Sequence, residues 1–73
     1  MHLILQKGDK GENVKKIQHW LNTHGYKAGE EDGMFGEKTR SAIIELQSAK
    51  KIKTDGIAGS QTQITMERVD KES

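Results

Sequence analysis

The chain has 73 residues, so the sequence predicts one small domain with a correspondingly small core. Twelve basic and eleven acidic residues leave a net charge of +1, which gives no electrostatic reason to expect nucleic acid or an anionic membrane as partner. The sequence has no cysteine, which excludes disulfides, and no apolar run near the roughly 20 residues of a membrane span.

The first predicted helix starts in the glycine-rich stretch at residues 8–12. Asp9 and Glu12 have the spacing of a capping box, in which Asp9 would accept hydrogen bonds from N–H groups of the first turn. The apolar positions recur at i, i+3 and i+7: Val14, Ile17 and Leu21. Gly25 is predicted to end the helix in a left-handed conformation, which would bring Tyr26 against Leu21 in a Schellman motif.

Two further helices are predicted, beginning near Gly36 and near Gly59. The inner face of the second comprises Thr39, Ala42, Ile43 and Leu46. The inner face of the third comprises Thr62, Met66 and Val69. Lys50 and Lys51 lie at the C-terminal end of the second helix, where the helix dipole favours cations. Residues 1–69 are expected to form the domain, and residues 70–73 a frayed C-terminal tail.

An internal repeat precedes the second and third helices. Residues 32–39 match residues 55–62 at an offset of 23 (55 − 32), and both copies read D-G-x-x-G-x-x-T. In each copy the aspartate is expected to accept backbone N–H bonds and the glycine to supply a positive φ. The threonine is expected to tie the loop to the first helical turn. The sequence therefore predicts an all-α, compact three-helix bundle with two pseudo-repeated loop–helix units.

Catalytic and metal sites are not predicted. His19 and His24 are five positions apart, so they do not share a helix face as a zinc pair at i and i+4 would, and His2 lies far away in sequence. The Asp-Gly turns resemble calcium loops, but Lys51 and Lys53 occupy two of the positions that would need oxygen ligands. We therefore expect no catalytic residue, no cofactor and no bound metal.

Three segments together resemble the peptidoglycan-binding domain type 1 family, in order and with matching gaps over residues 5–66. The first segment is matched by Leu5, Gly8, Gly11, Val14, Ile17, Gln18, Leu21, Gly25 and Tyr26. The second is matched by Asp32, Gly33, Phe35, Gly36, Thr39, Ala42, Ile43, Leu46 and Gln47. The third is matched by Asp55, Gly56, Gly59 and Thr62. Departures are Leu46 in place of the usual aromatic, a large Trp20, and Lys53-Thr54 where a proline is common.

The resemblance implies a non-catalytic module that binds bacterial cell-wall peptidoglycan, through its glycan strand and stem peptide. It also implies an associated cell-wall hydrolase of the endolysin or amidase type. Residues 1–6 do not form the core of a signal peptide, so we expect synthesis in the cytoplasm and release with a phage lysis system. The alternatives are a protein-interaction or structural (virion-type) module built on the same bundle, and a small DNA-binding protein, which the scattered acidic residues disfavour.

Four side chains are candidates for contacting such a ligand. Trp20 and Tyr26 would offer aromatic surfaces, although Trp20 is equally expected to be structural packing. Arg40 could pair with a carboxylate through its guanidinium, and Lys51 would add positive charge, although a solvated lysine is the commoner outcome. Phe35 is expected in the core. The glutamines Gln18 and Gln47 are expected to satisfy loop backbone more often than to contact ligand.

Overall fold

The computed structural model describes residues 3–72 and contains three helices. They are α1 (Glu12–Thr23), α2 (Glu37–Ala49) and α3 (Ser60–Glu72). Within the described residues, β-structure is limited to two isolated antiparallel bridges, Leu5 with Ala58 and Lys10 with Met34. The predicted all-α, three-helix architecture is thus confirmed. His2 and Ser73 lie outside the described residues.

The two ends of α1 gave opposite outcomes for the sequence predictions. The predicted capping box is wrong, because Gly11 is the N-cap residue and the Asp9 carboxylate accepts a hydrogen bond from the backbone N–H of Gln6 instead. The predicted Schellman motif is confirmed: Gly25 has φ of 88°, and the Tyr26 N–H donates to the Leu21 carbonyl at 2.8 Å. Asp9 is used within its own turn because it lies two residues before the N-cap.

The C-terminal end of α2 forms the same motif without a glycine. The Ile52 N–H donates to the Gln47 carbonyl at 3.0 Å, and the Lys51 N–H donates to the Ser48 carbonyl at 3.2 Å. Lys51 therefore takes the left-handed position with φ of 58°. A side chain with a Cβ is disfavoured in that region, so this lysine stores local strain.

The core is assembled from all three helices, from both repeated loops and from the N-terminal segment. Its buried apolar residues are Leu5, Val14, Ile17, Leu21, Ala28, Phe35, Ala42, Ile43, Leu46, Ala58 and Met66. Phe35 is buried as predicted, whereas Val69 is only half-buried. Each fully buried aliphatic side chain contributes about 1.5–3 kcal/mol relative to exposure, which is how so short a chain can hold three helices together.

The N-terminal segment connects the two repeated loops. Leu5 exchanges both backbone hydrogen bonds with Ala58 in the second loop, at 3.1 and 2.8 Å. Further along the same segment, the Gly11 N–H donates to the carbonyl of Gly33 in the first loop, and the Phe35 N–H donates to the carbonyl of Asp9. The segment thus joins the two loops through backbone hydrogen bonds.

The expected frayed tail is helical as far as it is described. Helix α3 continues to Glu72, and Asp70 in its last turn accepts a hydrogen bond from the Trp20 indole at 2.8 Å. This contact joins residues 50 positions apart, so no local pattern in the sequence indicates it. The boundary at residue 69 therefore does not coincide with the end of a helix.

Candidate functional site

The first repeated loop is organised around the side-chain amide of Gln18, which projects from α1. Its Nε2 donates to the Met34 carbonyl at 2.9 Å, to Thr39 Oγ1 at 3.0 Å and to Asp32 Oδ1 at 3.2 Å. Its Oε1 accepts from the Gly33 N–H at 2.9 Å. One buried glutamine therefore links α1, the loop and the first turn of α2.

The second loop is held in the same way by Gln47 of α2. Its Nε2 donates to Asp55 Oδ1, to the Ile57 carbonyl and to Thr62 Oγ1 at 2.9, 3.0 and 3.0 Å. Its Oε1 accepts from the Gly56 N–H at 2.9 Å. Each of these four contacts has its equivalent in the first loop. The roles predicted for the aspartate, glycine and glutamine are confirmed in both loops. The Thr62 hydroxyl donates to the Ile57 carbonyl at 3.4 Å, as predicted, whereas Thr39 is joined to its loop through Gln18.

The glycine of each turn is required by two separate constraints. Gly33 and Gly56 have φ of 76° and 73°, a region that favours glycine. A Cβ on Gly33 would lie 3.0 Å from the carbonyl oxygen of Gly11, whereas one on Gly56 would lie 3.0 Å from side-chain atoms of Arg40. Both turns are therefore closely covered, the first by backbone and the second by a movable side chain.

The aspartates of the two turns stay ionised to lower pH than an ordinary aspartate. The pKa of Asp32 is lowered first by the hydrogen bond from the Met34 N–H and then by the Gln18 amide. The pKa of Asp55 is lowered chiefly by the corresponding bond from the Ile57 N–H. Donors aimed at a carboxylate favour its charged form, so both carboxylates act as fixed acceptors at neutral pH.

The two units differ in the length of the connection. Fourteen residues separate Gln18 from Asp32, but only eight separate Gln47 from Asp55, so the first connection is six residues longer (14 − 8). Asn22 fixes the additional segment. Its Oδ1 accepts from the Ala28 N–H at 2.8 Å, and its Nδ2 donates to the Gly29 carbonyl at 2.9 Å.

The longer connection and the first turn of α2 enclose a cleft of about 320 Å³, here called the first-loop cleft. Its lining residues are Gln18, Ala28, Glu30, Asp32, Met34, Gly36, Glu37, Lys38 and Thr39. The innermost lining is neutral and buried, whereas Glu30, Glu37 and Lys38 are exposed at the rim. Glu37 is paired with Lys7 at 2.5 Å, and this contact lowers its pKa. A cleft of this size suits a small ligand or a short peptide segment.

A second feature is a group of stacked rings at the C-terminal end of α1. Trp20 stacks on His24 with ring centroids 3.8 Å apart, and Tyr26 lies nearly parallel to Trp20 at 6.4 Å. The Trp20 indole N–H donates to Asp70, and His24 Nε2 lies 3.6 Å from the same carboxylate. Trp20 and Tyr26, two of the predicted contact residues, thus share one surface. Trp20 is half-buried and also anchors the end of α3.

The other two predicted contact residues lie elsewhere. Arg40 covers Gly56 before the start of α3, with its Nη1 3.8 Å from Glu37, and Lys51 is exposed at the end of α2. Asp70, beside Trp20, is ten residues beyond the start of α3, or about 15 Å along the helix at 1.5 Å per residue. Arg40 and the aromatic surface therefore do not form a single site.

Sequence reasoning missed the residues that build the first-loop cleft. Asn22, Glu30 and Lys38 were not among the candidates. The unequal distance between glutamine and aspartate in the two repeats could have indicated them, since an insertion in one copy of a duplicated unit often lies on a functional face. His24 was indicated only by its i, i+4 relation to Trp20.

Across residues 3–72, no group of three or more potential ligands converges as a metal site would require. None of the helices there could span a bilayer.

Comparison with known proteins relates this geometry to a family. Residues 10–66 match the family described as "Putative peptidoglycan binding domain". A curated relative, "Probable N-acetylmuramoyl-L-alanine amidase" of Bacillus licheniformis, is 40% identical over 63 residues, which are 84% of this chain and 18% of the relative. The chain spans about a fifth of the length of this amidase and of a spore cortex-lytic enzyme of Bacillus cereus, which is 36% identical over 59 residues.

Solved structures agree with the sequence comparison. The SleB N-terminal domain superposes with a TM-score of 0.89 at 30% identity, covering 94% of each chain. The endolysin of Burkholderia phage AP3 superposes with a TM-score of 0.83 at 33% identity, covering 88% of this chain and 24% of the endolysin. Most of the amidase and of the endolysin therefore lies outside the matched region.

Proposed function

The chain belongs to the peptidoglycan-binding domain family, and we propose that it is a non-catalytic module that attaches to cell-wall peptidoglycan and holds an associated hydrolase there. The observation that carries the proposal is the match over residues 10–66, which includes both repeated loops and the whole first-loop cleft. The amidase and the endolysin are each several times longer than the matched region, which supports a targeting role beside a separate catalytic domain. The endolysin also supports a place in a phage lysis system.

Rigid loops support binding rather than catalysis. Within residues 3–72, every buried side-chain nitrogen and oxygen has a hydrogen-bond partner. The two glutamines are engaged at both ends of their amides, so neither is available as an acid, a base or a nucleophile. A surface fixed in this way loses little conformational entropy on binding, which favours affinity.

Two surfaces are available for the wall. Trp20 and Tyr26 are proposed to contact sugar rings, because parallel aromatic faces offer apolar area with a polar edge. Weaker contacts to carboxylates are proposed for Arg40, which covers Gly56 of the second loop, and for Lys51, which is exposed at the C-terminal end of α2. We expect their removal to have smaller effects, since exposed single charges contribute little.

The test is co-sedimentation of the purified chain with insoluble sacculi at low and high salt. We expect saturable pelleting that persists at high salt and weakens about tenfold in Trp20→Ala, an effect of the size lost with one buried aromatic contact. Because Trp20 also supports α3, the variant Trp20→Phe is needed as a control that keeps a ring and removes the indole N–H. Arg40→Gln and Lys51→Gln should weaken binding by less than threefold.

The outcomes separate the proposal from its alternative. An absence of pelleting with sacculi of every stem-peptide type would overturn the assignment. Saturable binding to one protein, together with indifference to sacculi, would favour the interaction or virion-type module instead.

A further inference from the structure

The first-loop cleft carries two rim charges that no contact within residues 3–72 neutralises. Asp32 accepts from Met34 and Gln18, and Glu37 is paired with Lys7. The side chains of Glu30 and Lys38 make no hydrogen bond or ion pair with another described residue, although both residues line the cleft. The stem of Lys38 packs over Gly29, within 2.9 Å of where a Cβ would be, so its ammonium group starts from a supported position.

The remainder of the lining restricts what can be recognised. The Gln18 amide is engaged at both its nitrogen and its oxygen, so the innermost surface cannot supply the main polar contacts. Ala28 is buried there, and the Met34 side chain is exposed beside it, which provides a small apolar surface. The lining includes no aromatic ring on which a sugar could stack.

We infer that the first-loop cleft binds the peptide stem of peptidoglycan through a residue that carries both a free amine and a free carboxylate. Lys38 pairs with the carboxylate, Glu30 pairs with the amine, and Met34 with Ala28 covers the adjoining alanine methyl groups. In peptidoglycan this pair of charges occurs on the stem peptide, at a diamino acid that is not cross-linked, and not on the N-acetylated sugars. The inference rests on the proposed function and specifies the determinant that is recognised.

The different lengths of the two connections support the assignment. In the second unit the connection is six residues shorter (14 − 8), and it lacks the segment that supplies Ala28 and Glu30. The duplicated scaffold thus carries one additional wall, held by hydrogen bonds to and from the Asn22 side chain. Because this wall is fixed before binding, the Glu30 carboxylate is held in place with little loss of conformational entropy when the ligand binds.

The experiment compares untreated sacculi with sacculi whose free amines have been acetylated. Wild-type protein should lose about tenfold in affinity on acetylation, the size expected for one charge-assisted contact. Glu30→Gln should bind untreated sacculi about tenfold more weakly and should lose nothing further on acetylation, because the amine and Glu30 belong to one contact. Lys38→Gln should weaken binding to both preparations. The matched controls are Glu45→Gln and Lys50→Gln, exposed charges outside the cleft, which should stay within twofold.

A second measurement locates the ligand without variants. Titration with the soluble stem tripeptide L-Ala–γ-D-Glu–diaminopimelate should shift backbone amide signals of residues 28–39 in NMR spectra. Wild-type pelleting that is equal on both preparations and unchanged in Glu30→Gln and Lys38→Gln would overturn this inference while leaving the proposed function in place. Shifts confined to the surface around Trp20 would overturn it as well. Failure of wild-type protein to pellet with any sacculus would instead remove the proposed function.

Discussion

Replacing Gln47 by Met tests whether the buried amide, rather than apolar packing, holds the second loop to the bundle. Methionine keeps the length of the side chain and removes four hydrogen bonds. Asp55 would still accept from the Ile57 N–H, and Thr62 would still donate to the Ile57 carbonyl at 3.4 Å. The buried N–H of Gly56 loses its acceptor, the Gln47 amide oxygen. Asp55, Ile57 and Thr62 each lose the bond from the Gln47 amide nitrogen but keep one other hydrogen bond.

The expected loss in the free energy of unfolding follows from the hydrogen bonds that Gln47→Met removes or weakens. One orphaned buried N–H costs about 1–3 kcal/mol, and the weakened bonds add about 1 kcal/mol. We therefore expect Gln47→Met to lower the free energy of unfolding by about 2–4 kcal/mol. A chain of 73 residues has a total stability of about 4–11 kcal/mol, so this loss is a large fraction of the total and should lower the denaturation midpoint markedly.

Equilibrium urea unfolding followed by far-UV circular dichroism measures the change. The slope of free energy against urea concentration should stay constant, which would show that the same surface is exposed in both proteins. Gln61→Met is the matched control, because Gln61 is exposed in the first turn of α3 and should change stability by less than 0.5 kcal/mol, a value typical of surface substitutions. A loss below about 1 kcal/mol in Gln47→Met would refute the reasoning, since it would mean that water or local rearrangement replaces the amide.

Three further predictions use the same unfolding assay. Lys51→Gly should raise stability by about 0.5–1 kcal/mol, because glycine accepts the left-handed conformation that strains the lysine; a decrease would refute that strain. Gly33→Ala should cost more than Gly56→Ala, about 2–4 against 1–2 kcal/mol, because its new Cβ meets fixed backbone rather than a flexible arginine; the reverse order would count against this account. Since the folded-state pKa values of Asp32 and Asp55 are lowered, their contribution should be complete above the ordinary aspartate pKa of 3.8 and should decline as the pH falls through the lower folded values. Urea midpoints between pH 7 and pH 2.5 measure this, and a flat profile below pH 4 would contradict it.

The duplication explains why the two loops are built alike and shows where the two units differ. In both units a glutamine makes the same four contacts, which join its own helix to the loop and to the first turn of the next helix. Only the first connection is lengthened, and the cleft lies at that point. Under the further inference, the longer first connection contributes the cleft that recognises the stem peptide.

The sequence by itself determined the three helices, their buried faces, the repeat and the Schellman end of α1. The repeat is visible because two segments at an offset of 23 can be compared directly. The other features depend on residues within one or two helical turns of each other, where periodicity and turn chemistry are sufficient. The error at Asp9 arose in the same local range, because a capping aspartate and a turn aspartate have similar sequence surroundings.

Only the tertiary structure decided which side chains come together. The Trp20–Asp70 contact, the separation of Arg40 from the aromatic surface, and the closure of a cleft by Glu30 and Lys38 all depend on how helices and loops are placed. Residues 50 positions apart meet because the packing of the whole core fixes the relative positions of α1 and α3. No local preference in the sequence encodes those positions, since they result from many weak apolar contacts acting together.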